Sequence, residues 1–234
     1  MILNKVTMTG ADNATDIDKM LSLSDWFPFV EWGILFSQSS TGKPKYPTEE
    51  WLYELAAIKK KEPNLKLSAH LCGKWSRDFI SGGQLVLDDM PHLLHAFDRI
   101  QLNFSIKRNR VETLELSRLM RQLGHQFIIQ ITGDTTIALI RSMQCLRLDV
   151  VGLHDLSGGK GISPESWGKP LPPYCGYAGG LGPDNLKDQL GAISQACGDV
   201  PAWIDMEGNV RTDEQFDFAK VRQCLEIAEG WVTS

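Results

Sequence analysis

Short β-rich runs alternate with longer helical patterns eight times in 234 residues, which predicts an α/β fold: a single-domain (β/α)8 barrel over residues 1–234. Two further observations support it. The chain is too short for eight such units plus sizeable insertions, and the long connections follow strands, which in a barrel puts them on the face that carries active sites. A doubly wound open sheet is the structural alternative.

The strand-like runs are 5–10, 30–37, 65–72, 99–105, 126–132, 149–155, 174–180 and 202–207. Helix signals fall between them. "TEEWLYELAAIKKKEP" opens on the cap residue Thr48 with early acids and ends in lysines, as the helix dipole favours. "RVETLELSRLMRQLG" stops at Gly124, and "DTTIALIRSMQCLR" starts on Asp134. "PDNLKDQLGAISQACG" has Pro183 near its start and Gly198 at its end. "FDFAKVRQCLEIAEGW" follows the last strand. The longer loops are expected at 37–47, 73–91 and 156–173.

A hydrophobic fraction of 42% and a charged fraction of 23% are those of a soluble globular chain. No apolar stretch approaches the ~20 residues of a membrane span, and "MILNKVTMTG" has no secretory signal pattern. The net charge of −5 leaves no footprint for nucleic acid. Cys72, Cys145, Cys175, Cys197 and Cys224 are odd in number and form no CxxC pair, so neither a zinc site nor a disulfide framework is expected and a reducing cytoplasm is the simplest compartment. His70, His154 and Asp155 lack metal-ligand spacing, so neither a metal nor an organic cofactor is expected. Nothing in the sequence fixes an oligomeric state.

Period two puts Ser68, His70 and Cys72 on one face of the third strand, Gln101, Asn103 and Ser105 on one face of the fourth, and Gln130 with Thr132 on the fifth. The apolar faces must meet the helices, so the polar rows are expected to point into the barrel. Buried polar groups need partners, and rows converging on one mouth point to a polar ligand or to an internal network.

Three stretches carry chemistry. "CGYAGGLGPDNL" (175–186) crowds glycines between the seventh strand and a helix start, and "WIDMEGNVRT" (203–212) follows on the eighth. Adjacent strand ends of this kind hold phosphates through backbone N–H groups, here those of Gly179, Gly180, Gly208 and Asn209. "LHDLSGGKGISPESW" (153–167) sets Asp155 at a strand end before a Gly-rich loop able to fold over a substrate, a placement suited to general acid or base work.

Together these stretches resemble the phosphoribosylanthranilate isomerase family. "GILFSQSSTGKPKYPTEEW" is similar to its second-strand segment, "HDLSGGKGISPESW" to its Asp followed by a Gly-Gly-x-Gly loop, "GYAGGLGPDNL" to its Ala-Gly-Gly-Leu-x-Pro-x-Asn, and "WIDMEGNVR" to its eighth-strand segment. The resemblance implies tryptophan biosynthesis and an Amadori rearrangement of a phosphorylated aminoaldose to an aminoketose. It implies Asp155 as the acid, Lys45 at the basic position facing a substrate carboxylate, Asp205 as the inward carboxyl of the eighth strand, and the backbone amides of Gly179, Gly180, Gly208 and Asn209 on the phosphate of a small sugar; Asn103, Gln130, His154 and Arg211 are the residues expected around that ligand. There are two departures. Thr9 stands where the family's base, a cysteine, ends strand one, and a threonine hydroxyl is too weak a base near neutral pH without activation. Asp12, or Cys72 with its thiol made acidic by a charged His70, are the substitutes the sequence offers. Glu207 stands where the family has a small serine beside the phosphate, and needs a partner such as Arg211. Three readings stay open: this isomerase or a close variant, a phosphosugar barrel with aldolase, epimerase or lyase chemistry, and a non-catalytic barrel that binds a phosphorylated metabolite.

Overall fold

A computed structural model describes residues 2–155 and 162–232. Eight parallel strands, β1 (Leu3–Thr9), β2 (Val30–Phe36), β3 (Leu67–Leu71), β4 (Arg99–Leu102), β5 (Gln126–Ile131), β6 (Val150–Asp155), β7 (Cys175–Ala178) and β8 (Ala202–Met206), pair in chain order, and β8 pairs back to β1 to close the barrel. The eight runs expected from the sequence are these strands, and the open-sheet alternative falls because no edge is left.

Helices α1 (Ile17–Trp26) and α2 (Glu49–Lys59) follow β1 and β2, and the α2 cap is Thr48, whose hydroxyl accepts from Trp51 N. Residues 73–91, expected as a loop, instead hold α3 (Gly73–Ile80), α4 (Gln84–Asp89) and the start of α5 (Pro91–Leu94). Gly82 and Gly83, both at positive φ, break what would otherwise read as one helix. α6 (Thr113–Leu123), α7 (Asp134–Cys145), α8 (Leu186–Cys197) and α9 (Phe218–Glu229) follow β4, β5, β7 and β8. Between β6 and β7 the described residues 162–174 contain no helix. No helix among the described residues is long and apolar enough to cross a membrane.

Alternation sorts the strand residues into two layers. Leu67, Ala69 and Leu71 join the large core between strands and helices, as do Ile129, Ile131, Tyr177 and Ile204. The opposite face forms the barrel interior, and that interior is divided. On β5–β8, Ile128, Val151, Leu153, Ala178 and Trp203 form a separate apolar cluster. On β1–β4 most inward positions are polar and buried: Thr7, Thr9, Glu31, Ser68, His70, Arg99 and Gln101.

An ion cluster holds the floor of this polar half. Arg99 donates to both oxygens of Glu31, from Nε at 2.9 Å and from Nη2 at 2.5 Å; Lys5 Nζ donates at 3.0 Å and Thr7 Oγ1 at 2.9 Å. The Arg99 guanidinium also lies 4.5 Å from the centre of a Trp203 ring, joining the polar half to the apolar one. Burial pushes the Glu31 carboxyl up, but the charges of Arg99 and then Lys5 outweigh it and hold it at about 2.

Candidate active site

The strands' C-terminal ends open into a cavity of about 260 Å³. Register brings two carboxyls to it. Asp155 pairs with Ala178 on β7, and Ala178 pairs with Asp205 on β8, so the two aspartates share one row with a methyl group between them. Neighbouring strands lie about 4.8 Å apart, which sets the α-carbons roughly 10 Å apart with both side chains turned inward. Gln130 Nε2 on β5 donates to Asp155 Oδ2 at 3.1 Å. Asp205 is buried, and Thr9 Oγ1 donates to its Oδ1 at 2.6 Å. Burial raises the Asp205 carboxyl; the Thr9 hydrogen bond opposes it, but the charges of Glu207, Asp155 and Glu31 add to the rise, which brings it to about 7.

Thr9, at the strand-one position, is thus a donor to a carboxylate. Gly33, its register partner on β2, makes room for it: a Cβ there would lie 2.2 Å from Thr9 Oγ1 and 3.0 Å from His70 Cε1. Gly33→Ala is expected to push Thr9 off Asp205 and to cost about 1–3 kcal/mol of stability, measured by urea unfolding. A loss under half that would show that the two side chains yield freely.

The glycine stretches meet beside the carboxyls. Gly179 and Gly180 take φ of 126° and 62°, a turn that side-chain-bearing residues rarely adopt. The Gly180 carbonyl accepts from Asn185 Nδ2 at 2.8 Å and from Asn209 Nδ2 at 2.9 Å, which ties the β7 loop to the β8 loop. Gly179, Gly180, Gly208 and Asn209 all line the cavity. The N–H groups of Gly180 and Leu181 find no backbone acceptor among the described residues, as suits a cradle for an anion.

At the rim, Lys45 Nζ donates to Glu207 Oε1 at 2.7 Å, with both side chains partly exposed. Glu207 thus has the partner it needs, but the partner is Lys45 rather than Arg211. Arg211 is buried beside Gly10 and Glu214, donating to both carbonyls, and its Nη2 lies 3.0 Å from Asp12 Oδ2. Asp12 also accepts from Lys45 N at 2.6 Å and from Ala14 N at 3.0 Å. Asp12 and Arg211 therefore pin the loops after β1, β2 and β8 together, and neither lines the cavity.

The offered thiolate does not form. β3 ends at Leu71, so Cys72 caps α3 and lies outside the inner row. Its Sγ accepts from Asn103 Nδ2 at 3.2 Å and points at the His70 carbonyl, not at the imidazole. Burial pushes the thiol up to about 11 and the imidazole of His70 down to about 4, so His70 carries no charge that would acidify the thiol. His70 and Asn103 do line the cavity, as does Gln130. His154 does not: beside an inward Asp155 it must face outward, where it stacks on Tyr177 with ring centres 5.3 Å apart and its Nε2 lies 2.9 Å from Lys169 O. Gln101, which the sequence places in a polar row with Asn103 and Ser105, lines the cavity with Leu35 and Leu153 and stands in register with His70. The Gly-rich stretch 156–161, expected to fold over a substrate, lies outside the described residues. Among the described residues no cluster of His, Cys, Asp or Glu could hold a metal ion.

No family model and no curated protein matches this sequence. Solved structures do. A mutant tryptophan synthase α-subunit from Pyrococcus furiosus aligns at 12% identity over 98% of this chain and 100% of its own, with a TM-score of 0.57. N-(5'-phosphoribosyl)anthranilate isomerase from the same organism aligns at 12% identity over 98% and 100%, with a TM-score of 0.56. The 3-keto-L-gulonate-6-phosphate decarboxylase of Vibrio cholerae aligns at 11% identity over the whole of both chains, with a TM-score of 0.51. At these identities the likeness is one of fold, shared across enzymes of different reaction types.

Proposed function

We propose that this barrel is an enzyme for a phosphorylated small molecule, worked on by general acid/base chemistry, and that its reaction is the aldose–ketose (Amadori) isomerisation of a phosphorylated aminosugar. The observation that carries this reading is the row Asp155–Ala178–Asp205, in which two carboxyls flank one cavity and one of them is held near neutrality. A carboxyl at about 7 both takes and gives a proton at working pH, which is what an intramolecular proton transfer needs. Two similar folds, the isomerase and the decarboxylase, carry a sugar phosphate in their names, in line with a phosphate on the Gly179–Gly180 and Gly208–Asn209 loops.

In this reading the productive form carries a proton on Asp155 and a charge on Asp205: Asp155 gives its proton to the ring oxygen of the aminoaldose, the ring opens to an iminium ion, and the Asp205 carboxylate takes the C2 proton. The resulting enaminol tautomerises to the aminoketose, so the net change is an isomerisation. Asp205 takes the role that strand-one chemistry leaves vacant, because Thr9 serves it as a hydrogen-bond donor and is not itself a base. Lys45 already pairs with Glu207, and a substrate carboxylate has to displace that partner. This favours, as a second reading, an aminosugar phosphate whose amine substituent carries no carboxylate.

The test follows the fluorescence of phosphoribosylanthranilate generated in situ. Wild type is expected to consume it, and Asp155→Asn to do so at least ~100-fold more slowly while keeping its fold by circular dichroism. No turnover at high enzyme concentration would remove this substrate, and an active Asp155→Asn would remove Asp155 as the acid.

A further inference from the structure

Three buried polar atoms in the barrel interior have no hydrogen-bond partner among the described residues: Ser68 Oγ, His70 Nε2 and Gln101 Oε1. The residues are 0%, 2% and 4% exposed. They are neighbours, since His70 pairs in register with Gln101, and Ser68 lies two residues below His70 on the same face. Leaving such an atom unpaired is unfavourable, so three together are a site to be filled. The Gln101 amide is oriented by its Nε2, which donates to Asn103 Oδ1 at 2.9 Å and leaves Oε1 unpaired on a residue that lines the cavity.

The chemistry of the wall says what fills it. Gln101 Oε1 accepts only. His70 is neutral, and its Nε2 offers either a proton or a lone pair. Asn103 and Gln130 extend the wall with amides, and the nearest cavity-lining cation, Lys45, is engaged by Glu207. A carboxylate or phosphate finds no charge here, and an aromatic ring would leave the orphans unpaired. A hydroxyl fits: it donates to Gln101 Oε1 and accepts from His70 Nε2–H.

We propose that His70 and Gln101 form a hydroxyl-recognising subsite that selects the polyhydroxylated portion of the ligand over a deoxygenated or apolar one. The proposal rests on the reading that the cavity takes a phosphorylated small molecule, and it assigns the cavity's opposite end from the glycine loops to the sugar hydroxyls.

Titration calorimetry with inorganic phosphate, ribose 5-phosphate and pentyl phosphate, which has the same chain length and no hydroxyls, tests it. Wild type is expected to bind ribose 5-phosphate at least ~10-fold more tightly than pentyl phosphate, because a site built for a hydroxyl rejects the analogue lacking it. Gln101→Leu is expected to bring the two within about threefold while the ligand-free variant keeps its fold by circular dichroism, since the orphan acceptor it removes offsets the lost bond to Asn103. A residue with a merely structural role would lower the melting point and leave the ratio alone. Independently, the His70 Nε2 resonance should move with ribose 5-phosphate and not with pentyl phosphate. Equal binding by wild type, or a ratio that survives Gln101→Leu, overturns the subsite and leaves the orphans to internal water. Failure of all three ligands to bind overturns the phosphorylated-ligand reading itself.

Discussion

Asp205→Asn is expected to lower kcat by about 10²- to 10⁴-fold and, at the same time, to make the protein more stable above pH 7. Both effects follow from one fact. The carboxyl lies buried among negative neighbours, Glu207, Asp155 and Glu31, with one compensating donor, Thr9. Its folded value of about 7 exceeds the ordinary carboxyl value of 3.8, so the folded state holds the proton more tightly than the unfolded chain does. Stability from this group is therefore fully present below pH ~4 and is lost as pH rises through about 7. Asparagine keeps an acceptor for the Thr9 hydroxyl and cannot ionise, so the variant lacks that slope. Urea unfolding from pH 5 to 9 would show wild type falling by a few kcal/mol relative to the variant. In kinetics, a base role gives a wild-type rate that rises through pH 7. A variant within threefold of wild-type activity would remove Asp205 from the chemistry, and parallel stability curves would show that it is not the group titrating near neutrality.

The sequence made the barrel legible because β-branched runs, caps and helix-stopping glycines agree along its whole length. It also gave the inward polar rows, since period two is a local property of His70, Gln101 and Gln130. What it could not give are contacts that only closure makes. Thr9 meets Asp205 across 196 positions and Lys45 meets Glu207 across 162; no pattern in either segment names its partner. Asp12 and Arg211 illustrate the same limit from the other side, because two charged residues near strand ends read as a substitute base and a substrate contact until the fold pairs them. His154 was excludable from sequence alone, since adjacent residues on a strand cannot both face inward. The departure over 73–91 is of another kind: the stretch expected as one loop holds short helices, with Gly82 and Gly83 separating the first two.

The floor of the barrel gives the second large effect. Arg99→Met is expected to destabilise the protein by about 3–5 kcal/mol at pH 8, because among the described residues it leaves the buried Glu31 charge with only Lys5 and Thr7 as side-chain donors. Replacing both partners, Glu31→Gln with Arg99→Met, is expected to cost less than the single change, since the desolvated charge is removed with its counter-ion. The pH dependence distinguishes this from simple loss of packing on Trp203. In wild type Glu31 is depressed to about 2, so its contribution is present above the ordinary carboxyl value of 4.5 and is lost as pH falls toward 2. In Arg99→Met, burial is opposed by Lys5 alone, the Glu31 carboxyl rises, and the variant regains ground as acid neutralises it. The stability gap between wild type and variant should therefore narrow from pH 8 to pH 4. A gap that stays constant would assign the loss to the guanidinium–indole contact, and a gap below about 1 kcal/mol at pH 8 would mean that water reaches the floor and screens the pair. The same cluster bears on the site above it: Glu31 is one of the charges that raise Asp205. Glu31→Gln should then shift the rate profile of Asp205 toward lower pH, coupling the floor of the barrel to the chemistry at its mouth.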